Sequence, residues 1–263
     1  MSQLKNYRRM FPQRDYGEII LCLDGGDLWR KDTFPYYKAL RKAQKDASNK
    51  DWDKIHDICD TIKDESKKYF PYPVVHVNKC EADDVIAIML REIRKTSDES
   101  MAIISSDGDF YQLHSYGDVK QYSPVKKKFI KPDINPKAYL LEHILTGCSG
   151  DGIPNVLSDD DTFVNPDKKS KTMTKGRIAS LIQNQTCECP GMTTKKIKKN
   201  IHRNMRLINL MNVHKYMPED LHTKVLNKYA VAHEKAEQRG RSCLLPYFQK
   251  MNMRLLLDSI GEF

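Results

Sequence analysis

The sequence predicts an α/β protein: a mainly parallel sheet flanked by helices, followed by a C-terminal helical lobe. Two observations predict it. Between residues 18 and 106, short apolar runs alternate with amphipathic helical segments, and from Pro136 onward the apolar pattern is helical. Taken in order, residues 2–11 carry Leu4, Tyr7 and Phe11 at helical spacing, without a capping residue before them. Residues 18–24 (EIILCLD) read as a buried strand that enters a loop through two glycines. Residues 50–69 place Trp52, Ile55, Ile58, Cys59 and Ile62 on a helix, and residues 73–77 (PVVHV) read as a second strand. Residues 81–94 (EADDVIAIMLREIR) form an amphipathic helix with acids in its first turn and bases in its last, as the helix dipole favours. Residues 101–106 (MAIISS) give a third strand and residues 118–131 a hairpin. Residues 159–171, rich in Asp, Asn, Pro and Lys, have the content of a mobile loop. The lobe boundary falls near residue 135, giving 1–135 as the α/β core and 136–263 as the helical lobe.

With 263 residues, 44 Lys and Arg, 35 Asp and Glu, a net charge of +9 and a pI near 9.0, the chain favours a polyanion as partner. No apolar run reaches the roughly 20 residues of a membrane helix, and the N-terminus has neither a signal core nor a cleavage site. A protein of the cytoplasm with no membrane partner is expected. The seven cysteines, at 22, 59, 80, 148, 187, 189 and 243, are odd in number and scattered, which suits reduced thiols. Cys187 and Cys189 are too close for a zinc site and read as part of a polar loop. The eight histidines show no spacing that suggests nucleophilic catalysis.

Acidic residues follow each predicted strand: Asp24 the first, Glu81, Asp83 and Asp84 the second, Asp107 and Asp109 the third. Asp151 opens the helical lobe. In parallel α/β sheets ligands gather at the carboxyl ends of strands. Carboxylates converging there repel one another unless hard cations such as Mg²⁺ neutralise them. Glu81 and Asp84, three apart on a helix, are expected to project from one face, with Asp83 aside. An extended turn about Gly108 would let Asp107 and Asp109 face the same way. Each cluster also has a plainer explanation, since acids in a first turn improve the helix dipole and Asp-Gly-Asp makes ordinary turns. It is their recurrence at successive strand ends that favours metal binding. Residues 29–41 mix bases with aromatics, as a surface that grips a nucleic-acid strand does.

The combination of residues 21–24 (LCLD), 81–84 (EADD), 105–110 (SSDGDF) and 147–154 (GCSGDGIP) resembles the flap endonuclease and 5′-3′ exonuclease family, nearest to its phage replicative RNase H branch. The resemblance covers nearly the whole chain. It implies a PIN-like nuclease core with an arch-like segment near residues 25–50, and a helix-turn-helix-type duplex-binding opening in the lobe. The implied activity is Mg²⁺-dependent 5′-3′ exonuclease and flap endonuclease cleavage that removes RNA primers or 5′ flaps during DNA replication. Two Mg²⁺ ions are implied, with Mn²⁺ as a substitute. Asp24, Glu81, Asp83, Asp107 and Asp109 would be ligands directly or through water, supported by Asp84 and Asp151. Arg30, Lys38 and Arg41 would hold phosphate near the metals, with Tyr36 or Tyr37 stacking on a base or packing inward. Gly150 and Gly152 would let backbone amides approach duplex phosphates. Lys168, Lys169, Lys171, Lys175, Arg177, Lys195, Lys196, Lys198 and Lys199 would extend that surface or remain a solvated charge run. Implied partners are DNA with a 5′ flap or an RNA–DNA hybrid, a single-strand-binding protein and a sliding clamp. The implied location is the cytoplasm of an infected bacterial host.

Two departures keep other functions in play. The family supplies a further Asp from an N-terminal strand, and this chain starts too late to contain it, so a shortened or misplaced start is expected. Cys148 stands where the family has the first Asp of a Gly-Asp-x-x-Asp pattern. A structure-specific DNA-binding protein with impaired catalysis, and a PIN-like ribonuclease, are the competing expectations.

Overall fold

The computed structural model describes residues 1–131, 133–183 and 194–263, so the loop expected around Cys187 and Cys189 lies outside the described residues. In chain order the elements are α1 (Ser2–Met10), α2 (Gln13–Tyr16), β1 (Leu21–Leu23), α3 (Trp29–Thr33), α4 (Leu40–Asp46), α5 (Trp52–Tyr69), β2 (Val74–His76), α6 (Ala82–Arg94) and β3 (Met101–Ile104). A 3₁₀ helix (Gly108–Tyr116), β4 (Val119–Ser123), β5 (Lys128–Ile130) and α7 (Pro136–Thr146) follow. Further helices follow: α8 (Lys175–Gln183), α9 (Lys195–Ile208), α10 (Val213–Tyr216), α11 (Glu219–Arg239), α12 (Leu244–Lys250) and α13 (Arg254–Leu257). The chain divides into two compact units, each discontinuous in sequence. The first is Met1–Gly26, Asp51–Ile103 and Glu219–Phe263; the second is Asp27–Lys50 and Ile104–Pro218. A single cut near residue 135 falls inside the second unit.

In the first unit β1 and β2 pair in parallel, with Leu21 opposite Val74 and Leu23 opposite His76. Val74 and Val75 are buried, and Leu21 packs on a cluster of Phe70, Tyr72, Leu244, Tyr247, Phe248 and Phe263. The chain's last residues therefore complete the core begun by its first strand. Helix α5 starts on Asp51, whose side chain accepts from the Lys54 amide at 3.0 Å. Helix α6 buries Val85, Ala87, Ile88, Met89 and Leu90, neighbouring positions that surround the helix, so this part of it is sunk in the core and not laid on it along one stripe.

In the second unit β4 and β5 form the expected hairpin, antiparallel with Tyr122 opposite Phe129. The Ser105 amide donates to the Tyr122 carbonyl at 3.0 Å, tying the end of β3 to β4. Segment 27–50 belongs here because Phe34 and Tyr37 share a core with Ile153, Leu207 and Ile208. A second core joins Ile144 and Leu145 of α7 with Val156, Leu181 and Ile201. Helix α9 adds a buried polar face. Asn204 donates to the Ile144 and Pro154 carbonyls at 2.7 and 3.0 Å, and Asn200 to those of Val156 and Ser158 at 3.0 and 2.9 Å. These bonds satisfy backbone oxygens that an irregular buried segment would otherwise leave bare.

Candidate carboxylate sites and the basic segment

The first unit brings Asp24 and the EADD sequence together. Gly25 follows Asp24, and its amide donates to the Cys80 carbonyl at 2.7 Å. A Cβ at Gly25 would stand 2.2 Å from the Val77 carbonyl oxygen, so only glycine allows this approach. The closeness sets Asp24 at the head of α6, where its Oδ1 accepts from the Ala82 amide at 2.8 Å. Glu81 is the N-cap residue of α6 and not part of its first turn. The expected projection of Glu81 and Asp84 from one helical face is therefore corrected. Asp84 is fully buried and turns back so that its Oδ2 accepts from the Glu81 amide at 3.0 Å, which satisfies an otherwise orphaned donor. Glu81 is 4 % exposed and Asp83 half-buried. Burial, and secondarily the Asp83 carboxylate, push the nearby Cys22 thiol up to about 12.

The second unit holds Asp107, Asp109 and Asp151. The extended turn expected about Gly108 is replaced by a 3₁₀ helix, because Asp107 caps it: its Oδ1 accepts from the Asp109 amide at 2.9 Å. The buried Gln121 side chain fixes the approach to this cap by donating to the carbonyls of Ser105 and Asp107 at 3.1 and 2.7 Å. Asp109 is half-buried. Its carboxyl lies above the usual range, chiefly through burial and further through the Asp107 and Asp151 carboxylates, with His143 and Arg30 opposing. His143 Nδ1 stands 3.5 Å from Asp109 Oδ1. A cation would relieve this accumulation of negative charge, and the donors are the hard oxygens that Mg²⁺-class ions select. Among the described residues, however, no three His, Cys, Asp or Glu side chains are gathered as a metal cage.

Asp151 is held by bases. Its Oδ1 is 2.7 Å from Arg41 and 3.7 Å from Lys38 Nζ, and its Oδ2 accepts from the Tyr37 hydroxyl at 3.3 Å. Cys148, three residues earlier, has its thiol pushed up to about 11, by burial first and by Asp151 next. Gly150 and Gly152 flank Asp151, and Gly152 takes a left-handed φ of 72°.

Arg30 differs from expectation, and Tyr37 takes the inward-packing alternative. Arg30 is 3 % exposed, donates from Nε to the Leu207 carbonyl at 2.9 Å and lies 4.6 Å over the Trp29 ring. A buried guanidinium needs acceptors and a ring face, and the unit's interior supplies both, so Arg30 is not a surface base. Tyr37 is likewise buried in the core with Phe34 and Ile153, which leaves Tyr36, half-buried and edge-on to Phe34, as the more accessible ring. Sequence reasoning missed His143, Gln121 and the Asn200, Arg203, Asn204 face of α9. The last three sit at helical spacing, but a polar stripe ordinarily marks a solvated face.

Among the basic residues of the lobe, Lys168 pairs with Asp161 at 2.6 Å and Asp159 at 3.4 Å, and Lys199 with Asp160 at 3.3 Å. Lys196 pairs with Asp159, and the buried Arg203 with Asp160. No helix among the described residues is long and apolar enough to cross a membrane.

A family model, the 5′-3′ exonuclease N-terminal resolvase-like domain, matches residues 2–139. Ribonuclease H of Enterobacteria phage T4 is 31% identical over 252 residues, covering 94% of this chain and 80% of that protein. DNA polymerase I of Rhizobium leguminosarum is 30% identical over 135 residues, 49% of this chain and 12% of that protein. The fold matches the phage T5 D15 protein co-crystallised with metal ions at a TM-score of 0.64, with 19% identity over 90% of this chain and 91% of that one. A T5 D15 flap endonuclease complex with DNA and metal ions gives 0.62 at 18% identity, over 89% of each chain. The family match spans more than half the chain and includes every acidic cluster except Asp151, which places this protein in the 5′-3′ exonuclease family of phosphodiester-hydrolysing nucleases.

Proposed function

We propose that this chain is a Mg²⁺-dependent 5′-3′ exonuclease and flap endonuclease that removes RNA primers or 5′ flaps during DNA replication. Its substrates would be DNA with a 5′ flap or an RNA–DNA hybrid, its working partners proteins that coat or encircle DNA, and Mn²⁺ a substitute ion. The observation that carries the reading is the 2.8 Å bond from the Ala82 amide to Asp24, which joins the carboxylate after β1 to those heading α6. Oxygen donors from separate stretches of chain are held together there by backbone, with charge left for a cation.

Asp24, Glu81, Asp83, Asp107 and Asp109 would hold two divalent ions directly or through water. When bound, such ions lower the pKa of an attacking water and neutralise charge developing on the phosphate. Asp84 keeps the head of α6 in place through Glu81, and Gln121 does the same for Asp107 and Asp109. Lys38 and Arg41 would meet the phosphates of the 5′ strand, and Tyr36 would offer a stacking face. Arg30 would act from within, through its field on Asp109. The amides about Gly150 would approach duplex phosphates without reading sequence.

The test is cleavage of a 5′-labelled flap in Mg²⁺ and in chelator. Asp109→Asn and Asp83→Asn should each abolish turnover while retaining flap binding, because charge is lost at nearly constant volume. Turnover by either variant comparable to the unsubstituted chain would sink the ligand assignment. Cys148, in place of an expected Asp, favours a second reading as a binding protein with impaired catalysis. That reading predicts tight flap binding and no Mg²⁺-dependent product. Faster cleavage of single-stranded RNA than of the flap would favour a PIN-like ribonuclease instead.

A further inference from the structure

We propose that Asp151 is a positioning residue that couples the duplex-binding turn to the basic 5′-strand segment, and that it is not an ion ligand. The inference deepens the nuclease reading and rests on it. Asp151 ends the 3₁₀ turn Ser149–Asp151, between Gly150 and Gly152. Among the described residues, its polar side-chain contacts run to one short stretch of chain, residues 37–41. The carboxylate meets Arg41 at 2.7 Å, Lys38 Nζ at 3.7 Å and the Tyr37 hydroxyl at 3.3 Å, and the Asp151 carbonyl accepts from the Lys38 amide at 2.8 Å. Lys38 has a φ of 55°, a left-handed conformation that is strained for a side-chain-bearing residue and persists only where the surroundings impose it. The bond to the Asp151 carbonyl is one such constraint. On the other side of Asp151 the turn and the segment touch through backbone: a Cβ at Gly152 would stand 2.8 Å from the Tyr36 carbonyl oxygen.

The charges point the same way. Both oxygens of Asp151 already meet donors, two of them cationic, and its side chain is only 17 % exposed. To ligate an ion it would have to release Arg41 and Lys38, the two bases proposed to hold the 5′ strand. The turn offered to the duplex thus fixes the direction of the bases offered to the single strand. Such a link favours 5′ ends that adjoin a duplex over free single strands.

The full chain tests this, with Asp151→Asn, Arg41→Ala, their combination, and Asp109→Asn as reference. Calorimetric titration with Mn²⁺ should give Asp151→Asn an affinity within about twofold of the unsubstituted chain, a difference well under 1 kcal/mol, while Asp109→Asn loses binding. The ratio of flap to single-strand kcat/KM should fall about tenfold in Asp151→Asn, the effect of losing an interaction worth about 1.4 kcal/mol. The double variant should be no worse than Arg41→Ala alone, since both changes remove one interaction. Loss of Mn²⁺ affinity in Asp151→Asn equal to that in Asp109→Asn would make Asp151 a ligand and overturn the proposal. So would strictly additive effects of Asp151→Asn and Arg41→Ala. If the unsubstituted chain neither binds Mn²⁺ nor cleaves, the nuclease reading fails. The same cycle measured on ion-free flap affinity then still decides the coupling, by its non-additivity or its absence.

Discussion

Cys148 shows how one residue changes the electrostatics of a site. A thiol held protonated to about pH 11 is neutral beside Asp109 and Asp151, whereas an aspartate there would add a third negative charge. Cys148→Asp should therefore lower stability in chelator, by on the order of 1–2 kcal/mol, and this loss should reverse as Mg²⁺ is added. Thermal unfolding with and without Mg²⁺ checks the sign, and the Mg²⁺ concentration for half-maximal cleavage should fall. A variant equally stable in both conditions would place residue 148 outside the reach of any bound ion. Individual residues were also where the sequence was least legible. Its acids could be found from their places after strands, but Arg30 read as a surface base and Tyr37 stayed open between stacking on a base and packing inward. Whether a side chain in such a stretch is buried depends on partners such as Leu207 and Ile153, more than a hundred residues away, and no local pattern carries that.

At the scale of elements, strong periodicity translated directly into structure. Helices α5 and α6, β1 to β3 and the β4–β5 hairpin all stand where apolar spacing and turn residues put them. Capping was harder to see. Asp107 serves a 3₁₀ helix and Asp84 turns back to Glu81, so two acids that read as outward-facing are partly occupied with backbone amides. The glycines of the 150–152 turn separate local strain from substrate contact. Gly152 has a left-handed φ and presses on the Tyr36 carbonyl, so Gly152→Ala should cost on the order of 1–3 kcal/mol. Gly150 has open space around it, so Gly150→Ala should stay within about 0.5 kcal/mol of the unsubstituted chain. If amides beside Gly150 approach phosphate, the added methyl should nonetheless weaken duplex binding. Chemical denaturation and duplex titration of the two variants would distinguish these effects, and unchanged duplex affinity in Gly150→Ala would remove this turn from the interface.

For the whole molecule, a net charge of +9 sets the sign of nucleic-acid association but overstates the charge free to act. Lys168 and Lys196 are engaged by Asp159 and Asp161, half-buried carboxylates held below their usual range chiefly by hydrogen bonds from those lysines. Ion pairs at the surface are individually weak, so they should not prevent binding. They should change its salt dependence, because a lysine already neutralised by a carboxylate releases fewer counterions when it meets a phosphate. Each phosphate neutralised on duplex DNA adds about 0.9 to the steepness of log K against log salt. Combining Asp159→Asn with Asp161→Asn frees both lysines and should steepen the slope by about one to two. Asp160 is best left intact, since its partner Arg203 is only 7 % exposed and would be left unpaired in the interior. Duplex affinity measured by fluorescence anisotropy over a series of salt concentrations reads the slope directly. A steeper slope would assign Lys168 and Lys196 to the duplex-binding surface of the second unit. An unchanged slope, with the variant still folded, would mean that these lysines are a solvated charge run and that contact with the duplex is confined to other residues.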